Sequence, residues 1–573
     1  MFKKSKDGTQ QDMFNSIPSM LKGSLYKQYN DDIAWHNMFR TQVVERVDEL
    51  IFKPLYDETM GAPNASTRVL VGMLSLKEGF GWSDNELFEQ CRFNLLVRSA
   101  LGLFNINDSL PAESTYYLFR KRIHDYQRQN DVDIIETAFR QITRGQALDY
   151  QVSGRSIRMD SKLIGSNIAW CTRYEIVHDI IALFCKAFKE STYKKLSIEL
   201  RTQIKEITEH ESRKIVYRLG REEVKKKLQS LGLVIYNLLS LAKERENPYY
   251  QLLLRVYQEQ YRVNGYQVEL RPKEEIKSDS VQSPHDTDCA YRNKDGQQVK
   301  GYSANVTETC DENNLNLIVD VQVSTANTAD VEFLQTAINT TEQVLSHKPE
   351  DIHADGAYQS PENVAYCQNN EINPYFTGMQ GMAGRYDLTL TADELVVVDT
   401  QTGETIPAKK AKAIKSSKLK ERWVIKTTDG KSRYFSRQEI DACRVRKQIT
   451  GMPIEIRNKR NNVEATIFQL SYLTRNNKTR YRGLIQTKMW AMLRCIWINL
   501  RRIIAYVEPI CQRTFPKRMD IRKIKVITQI NFAFCKKSVD NFLSIQLFNL
   551  YYSFVKNFSI YHININFGKS YLL

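Results

Sequence analysis

Apolar residues recur along the chain with two different periods, and the period changes near residue 150. Over residues 31–150 they recur every three or four residues, as on the buried face of a helix. The clearest stripes are Phe39, Val43, Val44, Val47, Leu50 and Ile51, then Val69, Leu70, Met73 and Leu74, then Leu87, Phe88, Cys91 and Leu95. Between the last two stripes, Ser83 and Glu86 form a capping-box sequence. This region is predicted to be helical.

The last helix predicted in this region ends in a basic cluster, Arg120, Lys121 and Arg122. A helix, a glycine-containing turn and a basic helix are compatible with helix-turn-helix DNA binding. The same pattern is common in helical bundles. We predict an all-α N-terminal domain over residues 31–150, which is either a DNA-binding domain or a plain helical bundle. Residues 1–30 are predicted to be a flexible lead-in.

Residues 153–167 change to the period of a β-strand. Ile157 and Met159 alternate with polar residues, and Gly154 and Gly165 bracket the segment. The strand carries one acid, Asp160. A carboxylate on a core strand is destabilising unless a cation or hydrogen-bond donors meet it. Asp160 is therefore either a strand-end residue that binds a nearby turn or a metal ligand.

A second acid, Asp355, follows a short predicted strand. Gly356 comes next, and then a helix begins with Ser360 as its N-cap and Pro361 as its first residue. An acid in this position faces the crevice at the carboxyl ends of a mixed sheet, where open α/β sheets bind ligands.

A third acid, Glu464, lies four residues after Arg460, so the two share one face of a predicted helix. A surface salt bridge is the ordinary interpretation of such a pair. Glu455 and Glu421 also lie in this region. We prefer Glu464 because it alone follows an arginine by four residues and has a helical apolar stripe behind it. Pro453 predicts an extended backbone at Glu455, which would point that side chain elsewhere.

Two segments interrupt the predicted sheet. Residues 173–271 have a helical pattern with alternating blocks of Glu and Lys, and they are predicted to be an insertion after the first strand. Residues 380–447 are predicted to be a β-rich insertion, with a hairpin turn at Asp429 and Gly430. Further acids between the insertions, Glu308 among them, are predicted to be turn or cap residues in preference to ligands. The predicted fold class is a multidomain α/β (α+β) protein.

The net charge of +16 is concentrated in the C-terminal third. Residues 409–502 contain 25 basic and 6 acidic residues, a net charge of +19, and residues 503–573 contain 10 basic and 3 acidic residues, a net charge of +7. Residues 1–408 therefore carry a net charge of −10. A surface of this density indicates a polyanion partner, most often nucleic acid, with a solvated charged face as the alternative.

The sequences around the three acids resemble those of bacterial insertion-sequence transposases of the DDE type. They are Met-Asp-Ser-Lys-Leu-Ile-Gly-Ser-Asn, Asp-Gly-Ala-Tyr-Gln-Ser-Pro-Glu-Asn, and Arg-x-x-x-Glu ahead of a helix. The resemblance covers about residues 30–507. It implies a ribonuclease-H-like mixed-sheet catalytic domain over residues 151–507, after a helical domain that binds the element's terminal repeats. The family's glutamate signature also has Tyr where this chain has Arg457 and Lys where it has Ser471; these departures bear on phosphate contacts more than on the acids.

The resemblance implies that Asp160, Asp355 and Glu464 hold two Mg²⁺ ions, for which Mn²⁺ can substitute, with Asp160 bridging them. The reaction would be nicking at the element ends and then transfer of the DNA strand into target DNA. Arg460 would hold a phosphate or orient Glu464, and Arg457 would contact DNA. Trp423 is either core filler of a small sheet or a stacking surface for an extruded base. The implied partners are double-stranded DNA, as terminal repeat and as target, and a second copy in a homodimeric active complex.

Two other functions stay open: a non-catalytic DNA-binding derivative and a metal-dependent nuclease. The tail of residues 508–573, rich in Ile, Phe, Asn and Tyr, matches no motif, and we predict that its removal leaves binding to the element ends intact. The cysteines lack zinc-site spacing, and we see neither an apolar signal core nor a membrane span. These observations predict a cytoplasmic, nucleoid-associated protein with reduced thiols.

Overall fold

The computed structural model describes residues 1–5, 15–188, 190–241, 246–264, 267–294, 296–379, 381, 383–391, 394–411, 421–427 and 430–514. Asp429 of the predicted hairpin turn and residues 515–573 of the predicted tail lie outside these residues. The chain divides into two units, Met1–Val507 and Glu508–Leu573, and the first holds all the strands named below. Within the described residues, no helix has both the length and the apolar character needed to cross a membrane.

The N-terminal region is helical, as its apolar spacing predicts. Its α-helices are α1 (Ile17–Met20), α2 (Gly23–Tyr29), α3 (Trp35–Phe39), α4 (Thr67–Phe80), α5 (Asp84–Phe93), α6 (Leu95–Ala100), α7 (Glu113–Asn130) and α8 (Ile134–Asp149). The predicted stripes are buried or partly buried except at Leu50 and Leu95, which are exposed. Leu50 falls in a 3₁₀ helix, which changes the helical phase, and Leu95 begins a new helix after the cap Asn94.

Local signals at the helix starts are confirmed. Ser83 Oγ accepts a hydrogen bond from Glu86 N, and Ser83 N donates to Glu86 Oε2, which is the predicted capping box. The predicted lead-in is structured where it is described: Ile17 is buried, and the Met1 ammonium donates to the carbonyl of Met60. The N-terminal helices also share one hydrophobic core with residues of the sheet and of the last long helix.

The strand predicted around Asp160 is β1 (Ser156–Gly165). The predicted helical insertion follows it as α9 (Arg173–Lys186), α10 (Glu190–Tyr193), α11 (Ile198–Glu209), α12 (Ser212–Val216), α13 (Arg221–Leu239) and α14 (Tyr250–Gln260), and ends in the hairpin β2 (Tyr261–Asn264) and β3 (Gln267–Leu270). Its apolar residues form a core of their own, separate from the core beneath β1.

The rest of the central sheet comes next in the chain. Its strands are β4 (Ala290–Lys294), β5 (Gln297–Thr309), β6 (Ile318–Thr325), β7 (Asp351–Ala354) and β8 (Asn373–Phe376). Helix α15 (Leu334–Leu345) connects β6 to β7, and α16 (Pro361–Asn369) connects β7 to β8. The sheet order is β6-β5-β1-β7-β8, and β4 pairs with the first residues of β5. β7 and β8 run parallel to β1, whereas β5 is antiparallel to β1, β4 and β6. The sheet is therefore mixed.

The predicted β-rich insertion is present after β8. It comprises β9 (Tyr386–Thr391), β10 (Glu394–Asp399), β11 (Thr405–Pro407), β12 (Lys409–Lys410), β13 (Arg422–Lys426) and β14 (Ser432–Ser436), followed by α17 (Arg437–Thr450), α18 (Ile454–Ser471) and α19 (Leu484–Thr514). β13 and β14 form the predicted antiparallel hairpin. The strands make two three-stranded sheets over one small core.

The two faces of β1 have different neighbours because side chains alternate along a strand. Ile157 and Met159 pack in one core with residues of α15. Asp160 lies on the other face, which α18 covers. The prediction of an extended backbone at Glu455 is wrong: Pro453 is the N-cap of α18, so Glu455 lies in the first helical turn. A proline at a helix start loses no hydrogen bond, which is why it begins this helix instead of excluding it.

Candidate active site

Asp160 lies on β1, and Asp355 directly follows β7, the neighbouring parallel strand, at the same level. Arg158 of β1 pairs with His353 of β7, and each acid follows two residues later. Asp160 Oδ1 accepts a hydrogen bond from Ser161 N at 2.9 Å, and Asp355 Oδ1 accepts one from Ala357 N at 2.8 Å. Because adjacent strands are about 4.8 Å apart, the two carboxylates lie side by side.

Gly356 allows the chain to turn directly after Asp355. A Cβ atom at this position would lie 2.4 Å from the carbonyl carbon of Gly378, which is backbone and cannot rotate away. The turn that holds Asp355 at the end of β7 therefore requires glycine.

Helix α18 brings Arg460 and Glu464 to the two aspartates. Arg460 Nη2 lies 3.2 Å from Asp160 Oδ2 and 3.9 Å from Asp355 Oδ2. Arg460 Nη1 lies 3.6 Å from Glu464 Oε1. One guanidinium thus contacts all three predicted acids, and we call these four residues the acidic cluster. The side chains of Asp160, Asp355 and Glu464 are 15%, 27% and 62% exposed, so the cluster opens to solvent on the Glu464 side.

Electrostatics in the acidic cluster oppose the ionisation of Asp160. Burial raises the pKa of Asp160, and the charges of Asp355 and Glu464 raise it further, against the lowering effect of Arg460 and of the Ser161 N–H group. Three ionised carboxylates around one guanidinium leave two negative charges without a partner. An added cation in the cluster would favour the ionised form of Asp160.

The donor atoms of the acidic cluster suit a divalent metal ion, but their present positions do not enclose one. Over the described ranges, no group of three or more His, Cys, Asp and Glu side chains is arranged to hold a metal. Carboxylate oxygens are the ligands that Mg²⁺ prefers. The Arg460 guanidinium lies within 3.9 Å of all three acids and so takes the position that their oxygens share.

A second arginine–carboxylate cluster fixes α18 to the sheet. Glu308 of β5 is fully buried and pairs with Arg158 Nε at 2.5 Å and with Arg502 Nη2 at 2.6 Å. It also accepts a hydrogen bond from Thr466 Oγ1 at 2.6 Å. We call these four residues the buried cluster. Arg158 precedes Asp160 by two residues and Thr466 follows Glu464 by two, so the buried cluster sets the spacing between the strand and the helix that carry the acids.

The prediction that Glu308 is a turn or cap residue is wrong, because it lies within β5. One sequence signal could have found it. Glu308 continues the alternating series of Ala304 and Val306, all three buried, and an acid in the buried positions of a strand needs a cation as partner.

Two family models match the sequence. One is described as a transposase domain (DUF772) and matches residues 27–122. The other is described as a transposase DDE domain and matches residues 278–500. The chain belongs to the DDE transposases. The second match includes Asp355 and Glu464 of this transposase and begins after Asp160.

Comparison of the transposase with curated proteins found no match. Among solved structures, it is similar to one described as a cryo-EM structure of piggyBac transposase synaptic complex with hairpin DNA. The identity is 9%, the match covers 94% of this chain and 87% of that chain, and the TM-score is 0.29.

The two departures from the glutamate signature have different environments. Ser471 is buried, and its hydroxyl accepts a hydrogen bond from Lys162 Nζ at 2.8 Å. Arg457 is exposed and donates to the carbonyl of Ile449 at 2.8 Å. Ser471 is therefore part of the packing between β1 and α18, while Arg457 is accessible.

The remaining residues predicted to bind DNA have different environments. Lys121 is exposed, but Arg120 lies over the rings of Tyr116 and Tyr481, and Arg122 lies over the ring of Tyr56. Trp423 is only 2% exposed and packs in the core of the β-rich insertion. It therefore fills a core, and its ring is not available for stacking on a base in this structure.

Proposed function

We propose that this transposase binds the ends of an insertion element, cleaves them and joins their 3′-hydroxyl groups to target DNA. The observation that carries the proposal is the contact of Arg460 with Asp160, Asp355 and Glu464. A structural ion pair needs one acid for one arginine. Three acids that converge from two strands and a helix, next to a solvent-open side, support a catalytic role.

We assign the central sheet to the ribonuclease-H-like fold. The support is the strand order β6-β5-β1-β7-β8 with β5 antiparallel to its neighbours. In this arrangement the acids of β1 and β7 stand at adjacent central strands, and α18 crosses the same face with the third acid. We assign the helical residues 31–150 to DNA binding and residues 151–507 to catalysis.

The three acids would hold two divalent ions, Mg²⁺ or Mn²⁺, through oxygen ligands alone. Ions bound there would supply Lewis acidity to the scissile phosphate and would lower the pKa of the attacking water or hydroxyl group. Asp160, Asp355 and Glu464 would supply the oxygen ligands, since all three contact the same guanidinium. Arg460, once displaced from the acids, remains within reach to donate hydrogen bonds to a phosphate oxygen.

Two in-line displacements follow in this proposal. In the first, a water oxygen attacks the phosphorus at the element end, the bond to the 3′-oxygen breaks, and that oxygen leaves as a hydroxyl group. In the second, this 3′-oxygen attacks a phosphorus of the target, and the target's own 3′-oxygen leaves. Strand β1 and the turn after β7 position Asp160 and Asp355, and Glu464 approaches from the open side.

Lys121 and Arg457 are the predicted DNA-binding residues that stay accessible, and we propose them as phosphate contacts. Joining two element ends requires two active sites, for which we infer a homodimer. The excess of basic residues over 409–502 supports DNA as the partner of this part of the chain.

The deciding experiment incubates the full chain with a labelled element end and a supercoiled plasmid, with and without Mg²⁺. A transposase yields labelled plasmid only with the metal. A nuclease cuts the labelled end without joining it, and a DNA-binding derivative retards the labelled end in a gel and leaves it intact. Either of the last two results would contradict the proposed function.

A further inference from the structure

The helical insertion carries a run of exposed basic residues around the turn between α12 and α13. Residues 211–227 contain seven basic and three acidic residues. We give the name insertion surface to five of the exposed basic residues, which are Lys214, Arg218, Arg221, Lys225 and Lys226. Tyr217 lies within the same run and is 82% exposed. The insertion surface therefore combines accessible positive charge with an accessible hydroxyl group.

The fold neutralises little of this charge. Lys214 pairs with Glu211 at 3.2 Å, but both side chains are largely exposed, and such a pair contributes little. Among the described residues, no carboxylate forms a salt bridge with the other four members of the insertion surface. Arg221 and Lys225 are four residues apart on α13, so their like charges repel each other on one side of the helix. Basic residues left without counter-ions favour an anionic partner.

The insertion is also the basic exception within residues 1–408. Residues 173–271 contain 19 basic and 13 acidic residues, a net charge of +6. Residues 1–172 contain 21 of each, and residues 272–408 contain 7 basic and 23 acidic residues, a net charge of −16. Up to residue 502, the chain thus has two basic segments, this insertion and residues 409–502. Joining brings two duplexes to the acids, the element end and the target, so two polyanions have to be held.

The sheet sets the distance between the insertion surface and the acidic cluster. Asp160 pairs with Val306 of β5, and Lys300 lies six residues away along that strand, which is about 20 Å. Lys300 Nζ lies 4.9 Å from the centre of the Trp170 ring, and Arg213 Nη2 donates to the carbonyl of Trp170 at 3.2 Å. The insertion surface begins next to Arg213, and at 3.4 Å per base pair this distance corresponds to about six base pairs.

We propose that the insertion surface binds the phosphate backbone of the target DNA, about six base pairs from the phosphate that is attacked. The proposal rests on the proposed function, which brings the element end and the target together at the acidic cluster. Contacts of Lys and Arg with phosphate position a duplex without reading its sequence. Terminal repeats need a surface that reads sequence, assigned above to the helical residues 31–150. The target is therefore the duplex that a surface of charges fits.

The test uses the full chain bound to an unlabelled element end and measures capture of a fluorescent duplex of unrelated sequence, without divalent metal. The variant is the triple substitution Arg218→Gln, Arg221→Gln and Lys225→Gln. We expect it to bind the element end as the wild type does and to capture the unrelated duplex about tenfold more weakly. The slope of log affinity against log salt for this capture should become shallower by about 3, because each lost phosphate contact changes it by about 1.

With Mg²⁺ present, the same triple variant should cleave the element end at the wild-type rate. At low plasmid concentration it should join the end to plasmid about tenfold more slowly, and the rate should recover at saturating plasmid. Recovery is expected because the insertion surface binds the target and takes no part in the displacement. A defect in folding or in the acidic cluster would lower the rate at every plasmid concentration.

Two controls separate the position of the charges from their number. The triple variant Lys194→Gln, Lys205→Gln and Arg262→Gln removes three exposed charges from the same insertion, each of which pairs with a carboxylate. It should capture and join as the wild type does. Exchange of Lys for Arg and Arg for Lys at the three positions of the first variant keeps the charges and should keep the capture. All these variants should keep the wild-type melting temperature, since the side chains are exposed.

Each outcome decides the assignment. Equal capture and an equal salt slope in the first variant and the wild type would overturn it and leave the insertion surface a solvated face. An equal loss of affinity for the element end and for the unrelated duplex would overturn it too, because the surface would then hold the element end. Loss of self-association in sedimentation with unchanged capture would make the surface a contact between two copies instead. If the wild type binds no element end, the proposed function fails and this assignment with it; if it binds and cleaves the end, only the target surface is in question.

Discussion

The acidic cluster and the buried cluster both join α18 to the sheet, yet their charge balances are opposite. In the buried cluster, two arginines surround Glu308, and the carboxylate is fully buried. In the acidic cluster, three carboxylates surround Arg460, and Glu464 is mostly exposed. A buried carboxylate is stable only with complete pairing. An incompletely neutralised group of acids persists where solvent or a bound cation can supply the missing charge.

The largest effect should come from the acids of the acidic cluster. Asp160→Asn, Asp355→Asn and Glu464→Gln keep the side-chain size and remove the charge that binds metal. Each should lower the rate of cleavage and joining at least about a thousandfold, which is about 4 kcal/mol in activation free energy. DNA binding should be unchanged or slightly tighter, because a negative charge facing phosphate is lost. The plasmid-joining assay and a gel-shift titration measure the two quantities.

Glu455→Gln is the matched control, because Glu455 belongs to the same helix and lies nine residues, about two and a half turns, before Glu464. It therefore points to the opposite side of α18, and the variant should stay active. A nearly normal rate for Glu464→Gln together with an inactive Glu455→Gln would show that the third ligand is assigned wrongly.

In the buried cluster, the expected effect is on stability. Glu308→Gln leaves Arg158 and Arg502 without their shared counter-ion, and breaking a buried pair in this way destabilises a fold by about 3–5 kcal/mol. Denaturant unfolding of the two proteins measures the difference. A change below about 1 kcal/mol would mean that water reaches the arginines and that the buried cluster does not secure α18.

The same variant should show a pH dependence. Burial alone raises the pKa of Glu308, but the charges of Arg502 and Arg158 outweigh burial and hold the pKa below its usual value. The stabilising contribution is therefore complete above the unfolded pKa, about 4.3, and is lost as the pH falls through the lower folded value. The stability difference between the wild type and Glu308→Gln should shrink in acid. A difference that grows as the pH falls would contradict the sign of this shift.

A smaller effect is expected for Arg460→Ala, which removes the one cation of the acidic cluster. The three acids then repel one another without compensation, so the melting temperature should fall in the absence of metal and recover with Mg²⁺. At a concentration 100 times its dissociation constant, the ion would contribute about 2.7 kcal/mol. Arg457→Ala is the control, since Arg457 contacts a carbonyl group and should respond to Mg²⁺ as the wild type does. An equal response in both variants would argue that Arg460 does not compete with the metal.

The sequence predicted the elements of the site better than the contacts between them. The strand of Asp160, the Asp-Gly turn after β7 and the helix of Glu464 each have a local pattern, and the structure contains all three. The role of Glu308 was missed because its partners, Arg158 and Arg502, are 150 and 194 residues away. The sequence left Trp423 open between core filler and stacking surface, and it lies in a small core, since β-strand pairing brings apolar residues from distant segments over it.

The separate cores of the two insertions have a consequence for how this architecture can vary. Each insertion folds on its own apolar residues, and the buried cluster fixes α18 after the second one. For a connection whose ends are already held, each doubling in length adds only about 0.6 kcal/mol of closure entropy. Whole modules could therefore be lengthened, shortened or exchanged between Asp160 and Glu464 over evolutionary time, while the distances among the three acids stay the same.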